Sequence, residues 1–280
     1  MCTHKNLTHI LFLCFTTSIV FLSCTHEVTI TIVQTSDTHS CIEPDAKTGM
    51  GGYARRATLI DSLRTHVDPD LLLFDCGDYS QGSLYYTLFQ GETEVRLMNA
   101  MGYDAATIGN HEFDFGEENM QRLFTVAQFP TLSCNYDVSG TPLEGCVLPY
   151  TIITRKGVRI GVFGVTPAMD GLVFKKNYAG ITYHDPVAKA NETAALLRDR
   201  EHCDLVVCLS HLGWQIPSAD IEDERFIHQT HGIDVVLGGH SHSVFIEPAL
   251  YNDADGRPVT LMHNGKSGLY VGLWQITVRK

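Results

Sequence analysis

The order of apolar runs predicts an α/β fold in which two sheets face each other and helices cover their outer sides. Three observations carry this reading. Short β-branched runs alternate with helix-period stretches over residues 28–127 and again over 186–237. Strand-like runs follow one another without helices near 147–165 and 245–278, so the order is βαβα, β-rich, βαβα, β-rich, which fits two packed sheets better than one doubly wound sheet. Five runs of chemically versatile residues each directly follow a strand: Asp37-Thr38-His39, Gly77-Asp78, Gly109-Asn110-His111-Glu112, His211 and Gly239-His240-Ser241-His242. The carboxyl ends of strands are where parallel α/β sheets carry their chemistry.

The elements follow in order. Val28 to Gln34 alternates β-branched residues and reads as the first strand. Gly51-Gly52 opens a helix running to about Arg64, with Ala54, Ala57, Ile60 and Leu63 near one face. Leu71-Leu72-Leu73-Phe74 is a buried-strand run, Glu92 to Met101 is helical, Ala105 to Ile108 is a strand and Glu117 to Ala127 is helical again. Residues 147–154 and 158–165 read as two strands joined by a Lys156-Gly157 hairpin turn. Pro186 to Arg200 is a helix, while Leu205–Leu209 and Ile233–Leu237 are strands. The tail, 245–278, reads as antiparallel strands.

The chain has 280 residues, is 44% hydrophobic and carries a formal charge of −12. That is enough apolar residue for a substantial core, and it excludes a disordered tail. No basic patch is present, so binding of a nucleic-acid polymer is not expected. An acidic protein that handles anions needs a local positive charge, and bound metal ions would supply one.

Lys5 followed by the apolar run Ile10–Leu22 reads as a targeting segment, too short to span a bilayer comfortably. Its end, Phe21-Leu22-Ser23-Cys24, resembles a bacterial lipoprotein signal, with residues 1–23 as signal peptide and Cys24 as the acylated anchor. An ordinary secretory signal is the alternative. On either reading the mature protein is exported, and the first places it in the bacterial cell envelope, facing the periplasm or the exterior. Of nine cysteines, Cys41, Cys76, Cys134, Cys146, Cys203 and Cys208 lie beyond Cys24. None forms a C-x-x-C pair, which argues against a structural zinc ribbon. Cys134 and Cys146 are the closest pair by sequence, whereas Cys76 and Cys208 read as small core residues.

The chemistry concentrates in the five strand-end runs. Asp37 and His39 lie two apart, so on an extended segment both side chains point the same way and offer a two-ligand bite. Gly77 lets the backbone approach closely before Asp78, whose two oxygens could bridge two ions. Asn110 offers a neutral carbonyl oxygen, His211 stands alone after its strand, and His240 and His242 are again two apart. This nitrogen and carboxylate mixture suits two divalent ions of zinc, manganese, iron or cobalt. Two such ions clamp a phosphoryl group and activate a bridging water, so no Ser or Cys nucleophile is needed.

The runs Ser36-Asp37-Thr38-His39, Gly77-Asp78, Gly109-Asn110-His111-Glu112-Phe113-Asp114, Ser210-His211-Leu212-Gly213 and Gly239-His240-Ser241-His242 resemble the calcineurin-like metallophosphoesterase signature. More narrowly they are similar to the N-terminal metal-binding domain of the periplasmic 5′-nucleotidase and 2′,3′-cyclic phosphodiesterase family. Gly51-Gly52-Tyr53-Ala54-Arg55 also fits that branch, and the resemblance covers residues 28–280. It implies a four-layer αββα sandwich of two mixed sheets flanked by helices, with residues 24–280 as one metallophosphoesterase domain. It implies that Asp37, His39, Asp78 and His242 hold one ion and that Asp78, Asn110, His211 and His240 hold the other. Zinc and manganese are the metals it favours. His111 would act with Asp114 on the leaving oxygen, and Asn110 and His111 would also touch the phosphate. A carboxylate partner that raises the pKa of His111 and fixes its tautomer suits a general acid.

The implied activity is hydrolysis of extracytoplasmic nucleotides to nucleoside and phosphate. A cyclic phosphodiester, a nucleotide-sugar pyrophosphate or a sulfur ester are alternative substrates for the same site. The family's second, base-recognising domain has no counterpart before Lys280, so a separate nucleotide-recognition chain is a further expectation, with a stand-alone phosphoesterase as its rival. A non-catalytic binding lipoprotein is the reading from another class, and the intact His111/Asp114 pair argues against it.

Other features carry less. Gly265-Lys266-Ser267 lacks the upstream glycine of a phosphate-binding loop and precedes a strand. His263-Asn264 could line the site. Arg55 and Arg56 could reach a phosphate, with a solvated helix face as the simpler expectation. His26, His66, His184, His202, His228 and His231 match no ligand motif, and surface is the default.

Overall fold

The β-branched runs form strands whose two faces are both buried. The computed structural model of the chain describes residues 26–279. The first half contains β1 (Glu27–Thr35), α1 (Tyr53–His66), β2 (Leu72–Asp75), α2 (Leu84–Phe89), α3 (Glu92–Met101), β3 (Ala105–Thr107) and α4 (Glu117–Val126). Short strands β4 (Thr131–Leu132), β5 (Tyr136–Asp137) and β6 (Val147–Leu148) lead into the hairpin β7 (Tyr150–Arg155) and β8 (Val158–Val165). Then come β9 (Thr182–Tyr183), α5 (Pro186–Ala195), β10 (Leu205–Ser210), α6 (Asp223–Gln229), β11 (Val235–Gly238), β12 (Ala249–Asn252), β13 (Pro258–His263) and β14 (Gly272–Arg279).

Two six-stranded sheets result, in the orders β14-β1-β2-β3-β4-β6 and β12-β13-β11-β10-β8-β7. The inner strands are parallel, and β14, β12 and β7 close edges in antiparallel pairing. Alternation along each strand sorts side chains into three apolar layers. Ile30, Ile32, Leu72 and Phe74 meet Ile160, Val162, Val207 and Leu237 between the sheets. Val33 and Leu73 point the other way, against Ile60 of α1, Met98 of α3 and Leu123 of α4. Phe163, Val206 and Val236 point outward against Ala194 of α5 and Phe226 of α6. Helix, sheet, sheet, helix is the four-layer sandwich that the sequence implies.

Several local expectations need correction. The strand expected at 147–154 is two strands in different sheets: Val147–Leu148 pairs with β4 and Tyr150–Arg155 pairs with β8. Pro149 separates them, and with no N–H it cannot carry one ladder through. The tail is not one antiparallel unit either, since β13 runs parallel to β11 and β14 crosses to pair with β1. The helices α2 and α6 add to the expected set. They are short and start on side-chain caps, Ser83 accepting from the Tyr86 N–H and Glu222 from the Arg225 and Glu224 N–H groups. The helix expected to reach Arg200 does so, its last part as a wide π turn over Leu196–Arg200.

Arg56 is not on a solvated face. It is buried, with its guanidinium 4.2 Å from the Tyr53 ring centroid. Cys76 and Cys208 are fully buried in the core. Cys134 and Cys146 are free and pack into opposite outer layers, against the second and first sheets respectively. Of the histidines expected at the surface, His184 is half-buried and the others are exposed. No helix among the described residues is long and apolar enough to cross a membrane. The signal segment 1–23 and Cys24 lie outside the described residues.

Candidate metal centre

Parallel strands bring their carboxyl ends to one side of each sheet. β1 delivers Asp37 and His39, β2 delivers Asp78 and β3 delivers Asn110, while β10 and β11 of the facing sheet deliver His211, His240 and His242. Backbone bonds lock the loops of the first sheet together: the Asp37 N–H donates to Gly77 O at 2.9 Å and the His39 N–H to Asp78 O at 3.0 Å. Other bonds cross between the sheets. His211 Nδ1 donates to Cys76 O at 2.6 Å, and the His240 N–H donates to Asp37 Oδ1 at 2.9 Å.

The loops bend sharply to do this. Asp37, His39, Asp78, His240 and His242 all adopt the left-handed backbone region, with φ between 44° and 68°. Such residues cost roughly 1–2 kcal/mol each in a region that side chains disfavour. Strain gathered at one place, where surrounding contacts over-determine it, marks a site that function has shaped. Gly77 and Gly109 allow the closest approaches. A Cβ on Gly77 would lie 2.6 Å from Gly109 N, and one on Gly109 would lie 2.1 Å from Asp78 Oδ1.

The predicted residues converge. Ligand-type atoms of Asp37, His39 and His242 lie within 4.8 Å of one another, and so do those of Asp78, His211 and His240. A third grouping joins His39, Asp78 and His111, so Asp78 and His39 sit between the two clusters. His39 Nε2 and His242 Nε2 face each other at 3.0 Å. Asn110 points a buried Oδ1 that accepts no hydrogen bond, and His39 Nδ1 is likewise buried and unpartnered. His211 Nε2 is 3.1 Å from Asp78 Oδ2 without hydrogen-bond alignment. Buried polar atoms are normally satisfied. Orphans within a set of imidazoles, carboxylates and one amide fit divalent metal ions.

Burial holds His39 and His240 neutral, each with its pKa pushed down to about 4, which is the form that ligates metal. Burial also pushes the Asp37 carboxyl up to about 6, against the pull of His211. Asp78 and His211 form a tightly coupled buried pair. Burial opposes charge on both, yet the His211 imidazolium holds the Asp78 carboxyl below the usual range, and the Asp78 and Asp37 carboxylates raise His211 above the usual imidazole range. Divalent charge at this position would displace the His211 proton.

His111 stands at the rim rather than within the buried set. Its N–H donates to Asp78 Oδ1 at 2.8 Å, and its Nδ1 is 3.1 Å from Asp114 Oδ2. That bond is the first cause of a pKa above the usual imidazole value. With Nδ1 donating to Asp114, Nε2 is left for a substrate atom.

Two supporting groups went unread in the sequence. The buried Glu112 carboxylate accepts N–H bonds from Asp78 at 2.9 Å, Ser80 at 3.1 Å and Gly109 at 2.7 Å, which ties the loop after β2 to the loop after β3. Its place inside the run Gly109-Asn110-His111-Glu112 was the available signal. Asp223 is also fully buried; it accepts from Ser210 Oγ at 2.5 Å and lies 2.8 Å from His263 Nε2. His263 therefore does not line the site. It sits behind Gly238, where a Cβ would come within 2.2 Å of its Nε2. Nothing in the sequence signals Asp223. Asn264 accepts from Ser36 Oγ at 3.1 Å beside Asp37, and Gly265-Lys266-Ser267 is the turn between β13 and β14, where the Ser267 N–H donates to Asp37 O at 2.7 Å.

Comparison with known proteins adds to this geometry. Residues 30–244 match the family model of the calcineurin-like phosphoesterases. A snake venom 5′-nucleotidase from Gloydius brevicauda is 31% identical over 268 residues, covering 87% of this chain and 44% of that protein. The solved 5′-nucleotidase precursor from Thermus thermophilus superposes with a TM-score of 0.81 at 29% identity, over 89% of this chain and 51% of that one. The calcineurin-like phosphoesterase YfkN from Bacillus subtilis superposes with a TM-score of 0.77 at 28% identity, over 91% of this chain and 86% of that one. The chain spans about half the length of the curated 5′-nucleotidases it matches.

Proposed function

The chain belongs to the calcineurin-like phosphoesterase family, and from that premise we propose that it is a two-metal phosphomonoesterase that hydrolyses nucleotides to nucleoside and phosphate. The observation that carries the reading is the convergence of two ligand clusters on Asp78 and His39, with orphaned acceptor atoms on His39 and Asn110. Asp37, His39, Asp78 and His242 would hold one ion, and Asp78, Asn110, His211 and His240 the other. Two divalent cations, zinc or manganese on this donor set with iron or cobalt as alternatives, would supply charge for the phosphoryl oxygens and acidify a water.

The chain's own residues then do the rest. His211 is fixed by its bond to Cys76 O, so Nε2 faces the centre. The Asn110 amide and His111 would contact a phosphoryl oxygen. His111, oriented by Asp114, would hold a proton on Nε2 and deliver it to the leaving oxygen, and the Asp114 bond that raises its pKa favours the protonated form.

The test is phosphate release from AMP by the purified chain after chelation and after re-addition of manganese or zinc. Metal-dependent release at ordinary enzyme rates supports the reading; no release under either metal sinks it. A panel with a cyclic phosphodiester, a nucleotide-sugar pyrophosphate and a sulfur ester ranks the substrate classes.

Export and anchoring are part of the proposal. The Lys5 to Cys24 pattern supports a lipoprotein-type signal over residues 1–23, acylation at Cys24 and a position in the bacterial cell envelope. Labelling with a radioactive fatty acid that is lost in Cys24→Ser would support it, and labelling that persists would exclude Cys24. A second chain that recognises the nucleoside would co-purify under mild conditions, whereas a fully active monomer would exclude it.

A further inference from the structure

The start of α1 opens onto a cavity of about 290 Å³, lined by Gly51, Gly52, Arg55, Arg56 and Gly268 together with apolar side chains. Two cations and no carboxylate line it, and none of the candidate metal ligands does. Its volume falls just below the range of drug-sized sites, so it suits a compact ligand. Gly51 and Gly52 lead into the helix with φ of 74° and 83°, the left-handed region that favours glycine. Gly52 stands at the N-cap, so no side chain caps the helix, and the first turn holds no acidic residue. In a helix of 14 residues the unsatisfied N–H groups and the aligned peptide dipoles leave positive charge at that end.

Arg56 supplies an independent sign of a ligand. It is 3% exposed, and none of its three guanidinium nitrogens has an aligned acceptor. Buried donors are normally satisfied, and a buried charge without a partner is costly. Burial opposes the charge, while the Tyr103 and Tyr53 hydroxyls and the Asp75 carboxylate favour it. Those hydroxyls are themselves engaged, Tyr103 with Thr35 Oγ1 at 2.8 Å and Tyr53 with Thr38 Oγ1 at 3.1 Å. The guanidinium forms the back wall of the cavity. Gly268 lines that cavity too, and a Cβ there would lie 2.3 Å from Arg56 Nη2. Arg55 is exposed and lines it as well. An uncapped helix start, a buried guanidinium without acceptors and an exposed guanidinium all meet one small space, and each favours an anion.

We propose that this cavity binds a compact oxyanion, free inorganic phosphate, at a site separate from the metal centre. The anion would accept from N–H groups of the first turn of α1 and from Arg56, with Arg55 adding charge from the exposed side. The turn that carries Gly268 also carries Ser267, whose N–H donates to Asp37 O at 2.7 Å. The anion would therefore rest against the same turn that braces a candidate metal ligand. The site uses none of the groups on which the phosphomonoesterase reading depends, so the two stand or fall separately.

The test is thermal melting of the full chain in rising inorganic phosphate, against sodium chloride of equal ionic strength. It is run on the chain as purified and again after chelation, where the centre no longer holds metal-bound phosphate. An anion that binds the folded chain raises the melting temperature with its concentration. Wild type is expected to show such a rise in both preparations, and chloride is expected not to reproduce it. Arg56→Met is expected to fold, because replacing an uncompensated buried charge by an apolar side chain is often neutral or stabilising. It is expected to weaken the apparent phosphate affinity of the chelated chain by about tenfold or more. Arg55→Glu changes an exposed position, so it guards against a folding defect at Arg56, and its like charge is expected to abolish the rise. A rise that chloride reproduces, that is absent after chelation, or that survives in Arg55→Glu or in folded Arg56→Met would overturn the site. An Arg56→Met chain that melts well below wild type without phosphate, while Arg55→Glu keeps the rise, would show a guanidinium that only braces α1 against the turn. No turnover is measured, so each of these outcomes leaves the phosphomonoesterase reading untouched.

Discussion

Replacing Gly109 by alanine tests the geometry of the centre through a single methyl group. Gly109 is not among the residues with positive φ, so its backbone conformation admits alanine. The obstacle is Asp78. The new Cβ would lie 2.1 Å from Asp78 Oδ1 and 2.5 Å from its backbone N, where real contacts stay above 3.0 Å. The Oδ1 contact must therefore open by about 0.9 Å. The loops cannot simply drift apart, because the Asp78 and Gly109 N–H groups donate to the same Glu112 oxygen at 2.9 and 2.7 Å. The displacement falls on the Asp78 carboxylate, the group common to both proposed ion sites. Ligand distances tolerate only about 0.2 Å, and a misplacement near 1 Å costs on the order of 10²-fold in rate, or about 2.7 kcal/mol of barrier. The assay is elemental analysis of metal per chain after dialysis, alongside phosphate release and a thermal melt. Gly140→Ala is the control: it strains the backbone, at φ 73°, but nothing lies within 4 Å of its Cβ, so it costs stability and no metal. A Gly109→Ala chain that keeps the wild-type metal content and turnover would refute the placement of Asp78.

The remaining predictions concern the groups around it. His111→Ala is expected to leave metal content alone and slow turnover by about 10²–10⁴; unchanged turnover removes His111 from the mechanism. A general acid works while protonated, and Asp114 raises the His111 pKa. Activity therefore persists above the usual imidazole range and falls as pH rises through the raised value, and Asp114→Asn moves that alkaline limb of kcat to lower pH. A limb that stays in place would show that Asp114 does not set it. Asp223→Ala removes the acceptor of the Ser210 hydroxyl proton and the partner of His263 Nε2 in the core and is expected to cost about 1–3 kcal/mol in denaturant titration; no loss would contradict the network.

What the sequence reveals is what is local. Leu72–Phe74 and Leu205–Leu209 read as strands because burial on both faces demands a continuous apolar run, and the five strand-end runs follow from that placement. Glu92–Met101 reads cleanly because left-handed glycines, Gly91 and Gly102, bound it. What escapes is set through space. One proline decides that Val147–Leu148 and Tyr150–Arg155 join different sheets, and no periodicity shows it. Arg56 reads as a surface residue because its burial depends on Tyr53 and on the distant turn at Gly268, where a Cβ would strike its guanidinium. Glu112 and Asp223 serve backbone amides and a histidine supplied by other loops, so their spacing in the chain carries little of their role. The left-handed backbone at Asp37, His39, Asp78, His240 and His242 is equally hard to read, because Asp and His are only enriched in that region and mostly lie elsewhere.

The most direct measurement is metal stoichiometry paired with activity on one preparation: the chain stripped by chelator, titrated with manganese or zinc, and assayed for phosphate release from AMP at each step. The account predicts two ions bound per chain and release that rises only as the second site fills. Saturation at a single ion, or release indifferent to chelation, would contradict it.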